Sequence, residues 1–209
     1  MKQLLIVGAG GMGRTIYDMA VENPGYKVDF LIKGFLDDNM SQLDGFPEYP
    51  PIVGTISGYE VAPDDVFVCS IGGTSRRACM ESVMARGGKF ITLIHPTSRI
   101  GTGVHIGVGC YIGAYTIVAA NAYIGNYNFI QSHTIVGHDV RIGDWNRIDS
   151  YVMLVGGTEV GNDCVINTRA MINHNVKVAD QAHVGACSFV LANVEAGTTV
   201  FGSPARRIK

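Results

Sequence analysis

The stretch IGTGVHIGVGCYIGAYTIVAANAYIG, residues 100–125, carries an aliphatic residue at every sixth place: Ile100, Ile106, Ile112, Val118 and Ile124. The spacing runs back to Ile94 and onward, without a slip, through Ile130, Val136, Ile142, Ile148, Leu154, Val160, Ile166, Ile172, Val178 and Val184 to Val190, seventeen positions in all. A helix returns a side chain to one face every 3.6 residues and a strand every two, so neither explains a period of six. A strict six-residue repeat turns the chain by a constant angle and returns one aliphatic side chain to a shared interior, which is the pattern of a parallel β-helix. The residue after the aliphatic is glycine at Gly101, Gly107, Gly113, Gly125, Gly137, Gly143, Gly161 and Gly185. These glycines are expected to supply backbone angles that other residues resist. Four residues after the aliphatic the side chain is usually small, as at Ser98, Cys110, Thr116, Ala122, Thr134, Thr158, Cys164, Ala170, Ala182 and Ser188. Alternating bulky and small layers let a narrow triangular prism close.

The chain has 209 residues, 16 basic and 18 acidic, with a net charge of −2. That length predicts two domains. The near-balanced charge and the lack of a basic run speak against nucleic acid. The apolar run Leu4–Val7 is too short for a signal peptide or a membrane span, so no membrane partner is expected. The five cysteines, Cys69, Cys79, Cys110, Cys164 and Cys187, form no CxxC and fit a reduced, cytoplasmic setting. Cys110 and Cys164 fall on small interior places of the repeat.

Before Ile94 the chain is of another kind. Leu4–Val7 reads as a buried strand that runs into Gly8-Ala9-Gly10-Gly11-Met12-Gly13 and a helix over Met12–Glu22. A second strand is predicted over Val28–Leu36, ending in Asp37-Asp38, then a Pro-rich loop over Gly45–Gly54. A third strand is predicted over Val66–Ile71, a helix over Thr74–Arg86 and a fourth strand over Phe90–Leu93. Strands alternating with helices predict a small parallel α/β unit over residues 1–93, followed by the β-helix over residues 94–209. Gly8, Gly10 and Gly13 form a GxGxxG between strand and helix, a place where backbone can approach a phosphate. Asp37 and Asp38 could hold ribose hydroxyls. Some ninety residues hold only half a dinucleotide fold, so a nucleotide-linked sugar suits the space better than NAD, with a ligand-free turn as the third reading.

The two parts together resemble the hexapeptide-repeat acyltransferases, of the sialic-acid O-acetyltransferase and UDP-4-amino-sugar N-acetyltransferase type. The resemblance rests on the Gly8–Gly13 loop, Gly34-Phe35-Leu36-Asp37-Asp38, Ile71-Gly72 followed by Arg77, Ile94-His95-Pro96, Gly137-His138-Asp139-Val140-Arg141-Ile142-Gly143-Asp144 and Gly202-Ser203-Pro204-Ala205-Arg206. It implies a Rossmann-like N-terminal domain and a left-handed β-helix with three hexapeptides per coil. It implies an acetyl-CoA-dependent N- or O-acetyltransferase of bacterial surface-glycan biosynthesis, with no metal, that assembles as a homotrimer. His138 would be the general base, Asp139 its acidic neighbour, and the Gly156 amide the oxyanion donor. The resemblance further implies that Arg147, Gly156, His174, Gly185, Ala186, Pro204 and Arg206 line acetyl-CoA. The sugar substrate would meet Gly8, Gly10, Gly11, Gly13, Asp37, Asp38, Gly72 and Arg77. Arg147 departs from the family, which often has histidine there, and this leaves the acceptor open to include an alcohol.

Two rival readings remain at the level of sequence. A metal enzyme of the carbonic-anhydrase kind needs three histidines; His133 and His138 imitate two, while His95 and His105 miss the place of the third. A non-catalytic nucleotide-sugar-binding module would share the fold without turnover.

Overall fold

The computed structural model describes residues 1–209, which divide into two compact units, Met1–Pro96 and Thr97–Lys209. The first holds β1 (Lys2–Val7), α1 (Gly11–Glu22), β2 (Phe30–Leu36), β3 (Ile52–Gly54), β4 (Asp65–Cys69), α2 (Arg76–Ala85) and β5 (Lys89–Phe90). The strands form one parallel sheet in the order β3-β2-β1-β4-β5. The uninterrupted apolar run of β1 suits its central place: Leu4, Leu5, Ile6 and Val7 are wholly buried, as strands covered on both faces must be. Helix α1 buries Ile16, Met19 and Ala20, one apolar stripe at helical spacing.

Three local expectations change. The strand predicted over Phe90–Leu93 is split: Lys89–Phe90 joins this sheet, while Leu93–Ile94 pairs in a sheet of the β-helix. The Pro-rich loop ends in a strand, β3, whose residues pair with Phe35 and Leu36. Pro51 lacks an N–H but its carbonyl accepts from Phe35 N at 3.0 Å, and Gly34 lets it come close: a Cβ there would lie 2.5 Å from that oxygen. Strand β2 begins at Phe30 and not at Val28, because the Gly25 carbonyl gathers the amides of Val28, Asp29 and Phe30 into a turn.

The second unit is a parallel β-helix. Two-residue strands recur every six residues, each paired in register with the strand eighteen residues away, as Val118 with Val136 and Val136 with Leu154. Three flat sheets result, joined by three corners per coil. From Ile112 to Val190 every sixth-place aliphatic is at most 4% exposed. Each such burial is worth about 1.5–3 kcal/mol before chain entropy is charged against it. Past Val190 the period shortens: Val194 bridges Val178 and Val200 pairs with Val184, both sixteen residues on.

The glycines after the aliphatics serve a different purpose from the one expected. None of the eight has positive φ. They are needed because the next coil lies against them: a Cβ on Gly113 would lie 2.6 Å from Ser132 N, and on Gly137 2.7 Å from Gly156 N. The left-handed backbone falls two residues later, mostly on side chains that are not glycine, as at Tyr115, Asn121, Tyr127, His133, Asp139, Trp145 and Tyr151. Such a residue costs about 1–2 kcal/mol. The corner hydrogen bonds over-determine it, for example Asp139 N to Ala120 O at 3.0 Å and Tyr127 N to Val108 O at 2.8 Å.

Two interior places that the pattern marks as small hold asparagine. Asn128 and Asn146 are wholly buried and form a polar ladder. The Asn146 amide donates to Gly161 O at 2.8 Å, while its carbonyl accepts from Cys164 N at 2.8 Å. Buried amides are tolerated because both ends are satisfied. Burial pushes the Cys164 thiol beside them up to about 11, which keeps it an inert packing group. On the outside, corner residues eighteen apart stack: Tyr127 on Trp145 with centroids 4.4 Å apart, and His133 between Tyr115 at 5.1 Å and Tyr151 at 4.7 Å.

Replacing Gly113 by alanine is expected to lower stability by about 1–3 kcal/mol, since the added carbon meets backbone. Gln181→Gly, at a left-handed corner with φ 58°, is expected to change it by less than about 1 kcal/mol. Thermal unfolding of the two variants would reveal the contrast.

Candidate active site

His138 and Asp139 are the second and third residues after the interior Val136, so they form a corner of the prism. Two coil-to-coil bonds fix their backbone: Asp139 N to Ala120 O, and Gly157 N to His138 O, both 3.0 Å. The left-handed turn at Asp139, φ 59°, leaves its carboxylate 2.7 Å from His138 Nδ1. That hydrogen bond, with smaller help from Asn121 and Arg141, holds the Asp139 carboxyl below the usual carboxylate range. An ionised carboxylate only accepts, so Nδ1 carries the proton and Nε2 presents its lone pair. Both side chains are exposed, His138 at 64% and Asp139 at 59%, so the pair is open to a ligand.

Gly156 lies one coil on, at the same corner. A Cβ there would stand 2.5 Å from His138 Nε2, so the imidazole lies over this residue only because it has no side chain. The Gly156 amide donates to no group of the chain, so it is free to donate to a ligand beside the ring. Gly157, which the resemblance did not single out, follows it and lies under the Asn175 side chain. It takes φ +72°, and with Gly156 it makes the one Gly-Gly step beyond residue 94, a signal readable in the sequence. His174 occupies the same corner a further coil on.

The other prism residues stand elsewhere. Arg147 lies on the outer surface of a different sheet, held by the buried Asp149 through two bonds of 2.8 and 3.0 Å, and Asp149 in turn accepts from Gln131 Nε2 at 2.9 Å. It is a fixed cation separated from His138 by one face of the prism. Gly185 and Ala186 sit at another corner, and the Phe201 ring covers Gly185. Pro204 and Arg206 belong to the C-terminal hairpin of Thr199–Gly202 and Ala205–Arg207. The hairpin borders a cavity of about 330 Å³ lined by Leu191, Asn193, Glu195, Thr198, Arg206 and Arg207. His133, stacked between two tyrosines, is at a different corner from His138. No group of three or more His, Cys, Asp or Glu stands together to hold a metal.

In the N-terminal unit the glycines sort into two kinds. Gly8 has φ +97° and a Cβ would lie 2.5 Å from Ser70 Oγ; a Cβ on Gly13 would run into the Gly8 carbonyl. Both serve the packing of strand, turn and helix. Gly10, Gly72 and Gly73 have nothing within 4 Å of a Cβ, and Gly11 has only the Arg14 guanidinium at 3.9 Å. The open glycines follow β1 and β4, where the strand order reverses, which is where ligands of such sheets bind. Helix α1 starts there without a side-chain cap, leaving its first amides for an anion. Asp37 accepts from Ala9 N at 2.8 Å and Asn39 N at 2.9 Å, while Asp38 accepts from Ile56 N at 2.9 Å. Both carboxylates therefore brace loops. Arg77 pairs with Glu81 at 2.9 Å on the exposed side of α2.

Comparison with known proteins agrees with this two-part build. Residues 3–82 match the PglD N-terminal domain family. Over 118 residues the chain is 31% identical to the UDP-N-acetylbacillosamine N-acetyltransferase of Bacillus subtilis, a stretch that is 54% of this chain and 52% of that protein. The chain spans about half and about a quarter of the lengths of two curated relatives that it matches. Among solved structures, the acetyltransferase domain of PglB from Neisseria gonorrhoeae FA1090 in complex with acetyl coenzyme A superposes with a TM-score of 0.88. The two are 26% identical and 99% of each chain is covered. PerB from Caulobacter crescentus, solved with CoA and GDP-perosamine, has the same fold at 21% identity and a TM-score of 0.88, over 100% of this chain and 98% of that one. The chain thus has the architecture of the hexapeptide-repeat sugar acetyltransferases, with a PglD-type N-terminal domain.

In Gly156→Ala the new methyl is expected to push the His138 ring off Asp139. Nitrogen NMR of the imidazole should then show the single Nδ1–H tautomer of the wild type replaced by a mixture, and Asp139→Asn should give the same loss with Gly156 intact.

Proposed function

We propose that this protein is an acetyltransferase that moves the acetyl group of acetyl-CoA to the amine of a nucleotide-linked amino sugar. The observation that carries the reading is the His138 imidazole, oriented by Asp139, with its free Nε2 over Gly156, whose amide donates to no group of the chain. The relatives' activities and bound ligands support the same chemistry. The N-terminal unit holds the nucleotide, its phosphates at Gly10, Gly11 and Gly72 and the first turn of α1. His138 takes the proton from the amine as it attacks the thioester carbon, and Asp139 stabilises the imidazolium. The Gly156 N–H binds the oxyanion, and collapse of the tetrahedral adduct releases CoA. Neither a metal nor a covalent enzyme intermediate is called for. The open Nε2 would serve an alcohol as well as an amine, so O-acetylation is the second reading.

The acetyl-CoA residues implied by resemblance fall on separate parts of the prism, His138, Gly156 and His174 at one corner and Ala186 at another. One groove of one chain cannot contain both sets. This supports a site shared between copies, with acetyl-CoA lying where two prisms meet and Arg206 toward its phosphates, and we propose a homotrimer. We place it in the cytoplasm, where acetyl-CoA is made; no helix of the chain is long and apolar enough to cross a membrane.

Mass spectrometry of products from acetyl-CoA and a panel of nucleotide-linked 4-amino sugars tests the reaction. One acetyl gain on an amino sugar is expected, reduced about 10²–10⁴-fold in His138→Ala with unchanged thermal stability. Absence of transfer to any amine or alcohol of the panel would refute the reading. Sedimentation should give three times the 22.4 kDa chain mass.

A further inference from the structure

We propose that His174 donates the proton that the departing sulfur of the acyl donor takes up, an inference that rests on the acetyl transfer proposed above. His174 is 36 residues beyond His138, which is two coils, so the two imidazoles share one corner about 10 Å apart along the prism axis. Only Gly156 and Gly157 lie between them. The His138 ring stands over the first; the Asn175 carboxamide lies over the second, with His174 Cε1 3.8 Å from where a Cβ there would be. The corner therefore carries an imidazole at each end, with the Asn175 carboxamide beside His174. His174 makes no hydrogen bond or ion pair within the chain and is exposed, so both ring nitrogens are free to meet a ligand. Its immediate neighbours, Asn173 and Asn175, are uncharged, and the charges on the next face, Glu159 and Lys177, satisfy each other at 3.0 Å.

The direction of the donor places its sulfur. The cations Arg206 and Lys209 follow the last rung, beyond His183–Val184, at the far end of the prism, beside Arg207, which is paired with Glu195 at 2.8 Å. The polyanionic end of CoA is attracted there, and its thioester points back toward His138. With the carbonyl at Gly156, the sulfur lies on the His174 side of the carbonyl carbon. The amine nitrogen bonds to the carbonyl carbon and gives its proton to His138. The carbon–sulfur bond then breaks, its electron pair stays on sulfur, and His174 as imidazolium supplies the proton that makes the free thiol. His138 ends protonated and His174 neutral, and exchange with solvent restores both. Imidazolium is a stronger acid than an alkyl thiol, so the transfer to sulfur runs downhill.

The test varies the leaving group. His174→Gln, the wild type and His138→Ala are assayed by product mass with acetyl-CoA, with S-acetyl-N-acetylcysteamine and with S-phenyl thioacetate, whose thiol is acidic enough to leave unaided. His174→Gln is expected to lower kcat about 100-fold with the two alkyl thioesters, to leave KM for acetyl-CoA within about twofold, and to match the wild type with the phenyl thioester. His138→Ala should be impaired with all three. Equal loss for His174→Gln with every donor, a change confined to KM, or no loss would overturn the proposal. A wild type that acetylates no acceptor from any donor would instead overturn the underlying reaction.

Discussion

The backbone hydrogen bond from one coil to the next governs the second unit. Gly137 N reaches Leu154 O at 2.8 Å, Gly143 N reaches Val160 O at 2.8 Å, and the pattern repeats along three sheets. Because every coil must close in eighteen residues to make these bonds, each side chain keeps a fixed angular address. Aliphatics stay inside, the left-handed residues stay at the corners, and residues eighteen apart meet. Chemistry on such a frame is assembled by vertical stacking. His138, Gly156 and His174 come together although no sequence-local motif joins them.

The aliphatic repeat made the β-helix legible, because nothing else returns an apolar group every six residues. The corner backbone was not legible. A left-handed φ is usually announced by glycine or asparagine, yet here Tyr127, Trp145 and Arg169 adopt it, held by bonds to the coil before. The glycines that did stand out mark contact between coils, a role that sequence cannot tell from conformational freedom, since both exclude a Cβ. Asn128 and Asn146 were equally hidden, because their polarity is acceptable only when the partners fifteen and eighteen residues away are known. In the N-terminal unit the buried run of β1 and the glycine loop announced themselves. Strand β3 did not, being three residues at an edge beside prolines.

For the candidate site, resemblance singled out His138, Asp139 and Gly156, and the structure brings the three to one corner of the prism. Adjacency alone would not have oriented the imidazole; the left-handed turn at Asp139 does so. Arg147 also gains meaning from its surroundings. A guanidinium gripped by a buried carboxylate is a rigid, permanent charge that no proton-transfer role could use. The glycines of the N-terminal loop separate into those that pack and those that face open space, a distinction invisible in the motif GxGxxG.

The Tyr127–Trp145 stack has a spectroscopic consequence. Trp145 is the sole tryptophan of the chain, and it lies midway along the prism with its ring against the coil before. Intrinsic emission excited at the red edge therefore reports on one seam of the β-helix. Melting of the N-terminal sheet, whose aromatic residues are tyrosine and phenylalanine, would pass almost unseen in that signal while registering fully in far-ultraviolet circular dichroism. Two probes on one unlabelled sample would thus separate the unfolding of the two units.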